Sequence, residues 1–258
     1  MRKRSCVVGV FTAFFAALGM TAPANAADEP EPMIVGGHDA TQQYSFMTSL
    51  QSGGSHLCGA SLIESDWVVT AAHCVRGGGN YSVRIGSNDR ASGGEQATVT
   101  EVIPHPSSDL AVLRLGRQVN AQPIDIASEA GAVGTSTRII GWGQTCPERG
   151  GCGAPRTLQE LDTSIVPDRE CSGIDGANEI CTNNPGNDSG ACYGDSGGPQ
   201  IKGSRGDWKL IGATSRAGNN SPLCATAPSI YTDVTAHSDW IEQQTSGDDG
   251  GGGWPWPW

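Results

Sequence analysis

The sequence predicts an all-β fold, a barrel or a sandwich, ending in one short helix. Two observations carry this. Glycine is abundant, at 37 of 258 residues, and it divides the chain into short apolar or alternating segments bounded by turn residues. Helical periodicity is confined to the end of the chain. Many short strands at regular spacing suit a barrel or sandwich rather than a helical or mixed architecture.

Taken in order, strands are expected over Tyr44–Gln51, Trp67–Thr70, Val83–Ile85, Ala97–Ile103 and Leu110–Leu115. The later half adds Thr137–Trp142, Leu161–Val166, Trp208–Thr214 and Ser229–Val234. Residues 235–244 follow helical spacing, with Trp240 and Ile241 able to pack one face. No repeat of fixed period occurs.

The ends have a different composition. Arg2, Lys3 and Arg4 precede a mainly apolar run from Val7 to Met20, and Ala24-Asn25-Ala26 supplies the small residues that a signal peptidase reads. The run is short for a bilayer span, which needs about 20 apolar residues. A signal peptide over 1–26 is therefore expected rather than an anchor, with secretion and no membrane association. Residues 27–33 read as a short propeptide and 34–245 as the working domain. Residues 246–258, SGDDGGGGWPWPW, read as a flexible tail, because so few glycine-rich and acidic residues cannot form a core. An aromatic docking tail for a wall polymer or a partner is the alternative.

The formal charge of −11 argues against a nucleic-acid surface and suits a soluble monomer. Of nine cysteines, Cys6 leaves with the signal peptide. The even remainder in an exported chain reads as a disulfide framework. No Cys-x-x-Cys pair is present and the histidines do not sit at zinc spacing, so neither a metal nor a cofactor is expected.

Three stretches carry chemistry. A serine hydroxyl needs a base to take its proton, a group to orient that base, and donors for the developing oxyanion. Gly194-Asp195-Ser196-Gly197-Gly198-Pro199 surrounds a serine with glycines. Thr70-Ala71-Ala72-His73-Cys74 ends an apolar strand on a histidine, and Asp109-Leu110-Ala111-Val112-Leu113 places an aspartate at the mouth of another. Singly, each reads as a turn, a structural histidine and a cap; the order His, Asp, Ser makes them a set.

With LCGASLI, VVTAAHC, DLAVLRL, GWG, GDSGGP and SIYTDV in succession from Ile34 to about Gln244, the chain resembles the chymotrypsin (trypsin-like) serine peptidases. That resemblance implies two six-stranded antiparallel β-barrels packed together, with a C-terminal α-helix. It implies Ser196 as nucleophile, His73 as general base and acid, Asp109 as the orienting carboxylate, and the N–H groups of Gly194 and Ser196 as oxyanion hole. Ser215 would meet the buried Asp109, and the backbone of Ser215–Ala217 would pair with substrate. Ile34 would be the mature amino terminus, its amine paired with Asp195. Cys58–Cys74, Cys171–Cys181 and Cys192–Cys224 follow from the match. Cys146 and Cys152 have no clear family partner and pair by elimination.

The chain departs from the family pattern in several places. Met33, not Arg or Lys, precedes Ile34, so activation is expected to be autocatalytic or to use a protease accepting Met. Gly190 occupies the position of the trypsin-defining aspartate, with Ala217 and Ser229 on the pocket walls and Tyr193 at its mouth. This suits an apolar or medium-sized side chain; a shifted alignment puts Asp188 at the base and gives cleavage after Arg or Lys. The stretch from Pro104 to Asp109 is short, so an open cleft is expected. Ser87 stands where a calcium carboxylate would be and only Glu95 remains, so no calcium requirement is expected. Partners would be protein or peptide substrates and, compatibly, a proteinaceous inhibitor. A short propeptide and plain signal suit a bacterial secreted enzyme. The rival of another class is a catalytically silent binding homologue. An α/β-hydrolase is excluded, since it runs Ser before His around Gly-x-Ser-x-Gly.

Overall fold

The computed structural model describes residues 34–246; the expected signal peptide, the propeptide and tail residues 247–258 lie outside the described residues. After a two-residue strand β1 (His38–Asp39), the first lobe comprises β2 (Met47–Ser52), β3 (Ser55–Glu64), β4 (Trp67–Thr70), β5 (Tyr81–Ile85), β6 (Glu95–Pro104) and β7 (Ala111–Leu115). They close into an antiparallel barrel in the order β2-β3-β4-β7-β6-β5. The residues explain the closure. β5 alternates, with Tyr81, Val83 and Ile85 inward, and β4 is buried throughout, so each strand presents an apolar face to one interior.

The second lobe holds β8 (Ser136–Gly141), β9 (Gln159–Ser164), β10 (Glu179–Thr182), β11 (Pro199–Ser204), β12 (Asp207–Ala217) and β13 (Ser229–Asp233). With β1 as an edge strand they form a seven-stranded sheet, β1-β9-β8-β11-β12-β13-β10. The six strands expected here are present, but they stop short of full closure. The end of β9 meets β10 through an isolated bridge, Ile165↔Thr182, with the bonds Val166 N–H to Cys181 O (2.9 Å), Asn183 N–H to Ser164 O (2.8 Å) and Thr163 Oγ1 to Asn183 O (2.9 Å). β10 is four residues long, and Pro167 has no N–H to extend the ladder.

The expected helix begins later than its periodicity suggested. Thr235–His237 form a 3-10 turn, and α1 runs from Ser238 to Thr245. One apolar cluster fills the first barrel and continues across the lobe boundary through Ile140, Trp142, Leu158, Leu210, Val234 and Ile241. A second, around Ile139, Leu161, Ile211 and Tyr231, fills the second lobe and takes in Ile34. The lobes are thus welded by burial, and the cleft between them is rigidly framed. No helix among the described residues is long and apolar enough to cross a membrane.

Candidate active site

Strand pairing brings the histidine and aspartate stretches together. β4 and β7 are antiparallel with Thr70 opposite Ala111, so the chain leaving β4 and the chain entering β7 emerge at the same barrel end. His73 lies in the 3-10 turn Ala72–Cys74, held from below by buried Ala71 and Ala72 and tied to β3 through the Cys58–Cys74 disulfide. Asp109 precedes a fully buried Leu110, and its carbonyl accepts a bond from Thr232 Oγ1 at 3.0 Å.

His73 Nδ1 lies 2.7 Å from Asp109 Oδ2, and the His73 N–H donates to Oδ1 at 2.9 Å. Ser215 Oγ donates to Oδ2 at 2.7 Å. Burial alone would push the Asp109 carboxyl up, but the hydrogen bonds from His73 and Ser215, with the imidazole's charge, hold it at about 2. It is therefore a carboxylate, which can only accept, so Nδ1 carries a proton and Nε2 is left as the nitrogen for proton exchange. This is the tautomer that a general base needs.

Ser196 reaches the same cleft from the second lobe. Its carbonyl accepts from Gly59 N–H on β3 (2.8 Å), and Gly197 N–H donates to Thr214 O (2.8 Å). Gly197 sits at φ +73°, where a Cβ would collide with Thr70 Oγ1 and lie 2.6 Å from Gly59 O, so the Ser196 loop can dock on the first barrel only with glycine at 197. Ser196 and His73 line one cleft of about 470 Å³ without a direct hydrogen bond between them, a contact that often tightens only with substrate. Among the described residues the N–H groups of Gly194 and Ser196 donate to no acceptor, and Gly194 is held at φ +102°.

Asp195 is buried, accepting from Gly143 N–H at 2.7 Å and Cys192 N–H at 2.9 Å. Burial raises its carboxyl to about 6 despite these donors. Ile34 is buried at 1% exposure, and Val35 pairs with Gly190 in an antiparallel bridge, Gly190 N–H to Val35 O being 2.9 Å. The segment expected to become the amino terminus is thus tied to Gly190, two residues before Cys192 of the cleft.

The cleft is lined by Tyr193, Ser215, Ala217 and Ser229 and flanked by the Cys192–Cys224 disulfide. Gly190 is buried and is not itself part of the cleft lining; an added Cβ would stand 3.6 Å from the Oγ of Ser229, which is. Asp188 is exposed and absent from the cleft lining; its carboxylate accepts from Ser189 Oγ at 3.1 Å. All four expected disulfides are formed, including Cys146–Cys152 and Cys171–Cys181. Cys58, His73 and Cys74 crowd together as a metal cluster would, but both sulfurs are spent in a disulfide. Glu95 accepts from the N–H groups of Asn120 (2.7 Å) and Ala121 (2.9 Å) and from Arg117 (3.2 Å), so its carboxylate serves as a loop clamp.

The sequence did not single out three side chains at this site. His56 bridges Ser49 Oγ (2.8 Å) and Gly194 O (3.0 Å), and its burial lowers its pKa to about 4, keeping it neutral. Its place two residues before Cys58 was the one available signal. Arg149 and Arg216 line the cleft, and no motif flags either. A larger groove of about 640 Å³ lies over β8, β9 and β11, but its Arg138 and Asp162 neutralise each other at 2.7 Å and it holds no arranged nucleophile.

The trypsin family model matches residues 34–241. "Trypsin alpha" of Drosophila melanogaster is 32% identical, with 91% of this chain and 96% of that protein covered. "Trypsin epsilon" of Drosophila erecta is 31% identical, over 88% of this chain and 93% of that protein. Both relatives are insect proteins, so the bacterial origin expected from the leader gains no support from them. With the fold, the cleft and these matches in agreement, the chain belongs to the trypsin family of serine endopeptidases.

Proposed function

We propose that the protein is a secreted serine endopeptidase that works through His73, Asp109 and Ser196 and cleaves after apolar or medium-sized residues. The observation that carries this is the Asp109–His73 pair, fixed in the tautomer that leaves Nε2 free beside Ser196 in one cleft. Ser196 Oγ attacks the scissile carbonyl carbon while His73 Nε2 takes its proton. The oxyanion forms against the N–H groups of Gly194 and Ser196. His73 then passes the proton to the leaving amine as the C–N bond breaks, and a water repeats the sequence to release the acid.

Activation follows from Asp195. In the unprocessed chain the Ile34 nitrogen is an amide and the buried carboxyl has no cation beside it. Cleavage after Met33 frees an amine that pairs with Asp195, lowers its pKa and fixes the Gly194–Ser196 backbone. Residues 1–26 act as the export signal and 27–33 as the propeptide of the 34–245 domain. The uncharged Ala217 and Ser229 in the cleft lining, with Gly190 buried close to Ser229 and Asp188 exposed outside the lining, support cleavage after uncharged residues. The enzyme acts as a monomer without cofactor, away from membranes and nucleic acid, and the same cleft accepts the loop of a proteinaceous inhibitor.

Digestion of a peptide library, with the cut sites read by mass spectrometry, tests this reading. Cuts after Leu, Met, Phe, Tyr or Ala are expected. Cuts confined to Arg and Lys would overturn the specificity, and no cuts by an Ile34-processed sample would favour the silent binding homologue.

A further inference from the structure

Two arginines line the cleft beside Ser196, and they differ in their company. Arg216 is neutralised, its guanidinium bound to both carboxylate oxygens of Glu179. Arg149 is exposed, and among the described residues no carboxylate lies within ion-pair distance of it. Its guanidinium instead stands 5.0 Å above the centre of the Tyr193 ring. Tyr193 directly precedes the candidate oxyanion donor Gly194, which puts this charge at the mouth of the cleft.

The loop carrying Arg149 is held in place. The Cys146–Cys152 disulfide closes its base. Gln144 N–H donates to Tyr193 O (2.8 Å), Cys224 N–H donates to Pro147 O (3.0 Å), and Gln144 brackets the turn through Glu148 O (3.1 Å) and Gly150 N–H (3.0 Å). Tyr193 is fixed in turn by its hydroxyl bond to Pro222 O at 2.6 Å. A charge on a braced loop loses less freedom on meeting a partner than one on a free loop.

We infer that Arg149 is a specificity-determining residue, and that the enzyme selects peptides with an Asp or Glu side chain flanking the scissile bond. This rests on the endopeptidase reading above and adds a charge preference that the pocket end cannot supply, since Gly190, Ala217 and Ser229 are uncharged. The chain's own net charge of −11 would repel acidic peptides at long range, so a local cation is what allows them to be chosen.

The test uses quenched fluorescent peptides that share one cleaved residue and carry Asp, Ala or Lys at each of the two positions on either side of it. They are assayed with the enzyme as released by a secreting host and with Arg149→Ala and Arg149→Glu. Active sites are counted in each sample with a covalent serine reagent. At one flanking position kcat/KM for Asp over Lys is expected to be about two- to fivefold, the scale of an exposed ion pair. The ratio should fall to near one in Arg149→Ala, invert in Arg149→Glu, and shrink as salt is raised. A labelled enzyme whose ratio is one at every position, or whose preference survives in Arg149→Ala, overturns the inference alone. A sample that neither labels nor cleaves any peptide overturns the endopeptidase reading and the inference with it.

Discussion

At the scale of single residues, the site depends on two carboxylates that burial treats differently. Asp109 has hydrogen-bond donors and an imidazole around it and is held at about 2. Asp109→Asn would keep the shape but could donate to Nδ1's lone pair and stabilise the wrong tautomer. A fall in kcat of roughly a thousandfold or more is expected with KM little changed, measured by steady-state kinetics on a peptide ester or amide. Asp195 is buried with no cation paired to it among the described residues and sits at about 6. A raised carboxyl pKa means that the folded, unprocessed chain binds this proton more tightly than the unfolded chain does. The group's contribution is therefore most favourable below pH 3.8 and is lost as pH rises through 6, at a cost of about 3 kcal/mol. Urea titrations of the unprocessed Ser196→Ala chain should show this loss between about pH 4 and 7 relative to the same chain carrying Asp195→Asn. After cleavage before Ile34 the loss should vanish. The proposed triad could be picked from the sequence because His73, Asp109 and Ser196 each sit in a long motif. Arg149 was not, because nothing local fixes which way a loop between two cysteines will fold.

At the scale of elements, legibility followed burial pattern. β4 coincides with its expected range because Trp67–Thr70 is buried throughout and ends abruptly. β3 was absent from the strand reading although its LCGASLI motif was noted, since Gly59, Ala60 and Ser61 are too small to register as an apolar run. β11 begins at Pro199 and carries buried Gln200, whose amide bonds to Thr137 Oγ1 (3.0 Å) and whose oxygen accepts from Thr182 Oγ1 (3.1 Å). Such a strand is stabilised by partners from two other strands, which no local pattern reveals. The helix starts late because Asp233 Oδ1 first caps the 3-10 turn through Thr235 N–H (2.9 Å) and Ala236 N–H (3.2 Å). Trp240 of α1 meets the ring of His105, 4.8 Å between centres, and so braces the short segment that ends at Asp109. Trp240→Ala is expected to lower stability by about 2–3 kcal/mol, less than a fully buried tryptophan, as read from urea midpoints. The shortness of that segment predicts broad tolerance for the substrate residue preceding the cleaved one; a strict requirement in a library profile would contradict it.

At the scale of the whole molecule, the proposed chemistry depends on two lobes staying in register. His73 and Asp109 come from the closed barrel, and Ser196 and Ser215 from the open-edged sheet. The lobes are joined at the cleft by Gly59 against the Ser196 loop. Behind it, Tyr44 donates to Glu160 Oε2 at 2.6 Å, and Arg138 pairs with the fully buried Glu160 at 2.9 Å. Arg138→Met would leave that carboxylate without its cation. A loss of about 3 kcal/mol is expected, with kcat/KM preserved at temperatures where the variant stays folded. The single claim underlying the rest is that Ser196 is a nucleophile activated by His73. Treating the Ile34-processed protein with a sulfonyl fluoride and locating the adduct by peptide mass spectrometry tests it most directly. One adduct per molecule is expected, on Ser196, and none in His73→Ala. A folded, processed sample that remains unmodified, or that labels equally well without His73, would contradict it.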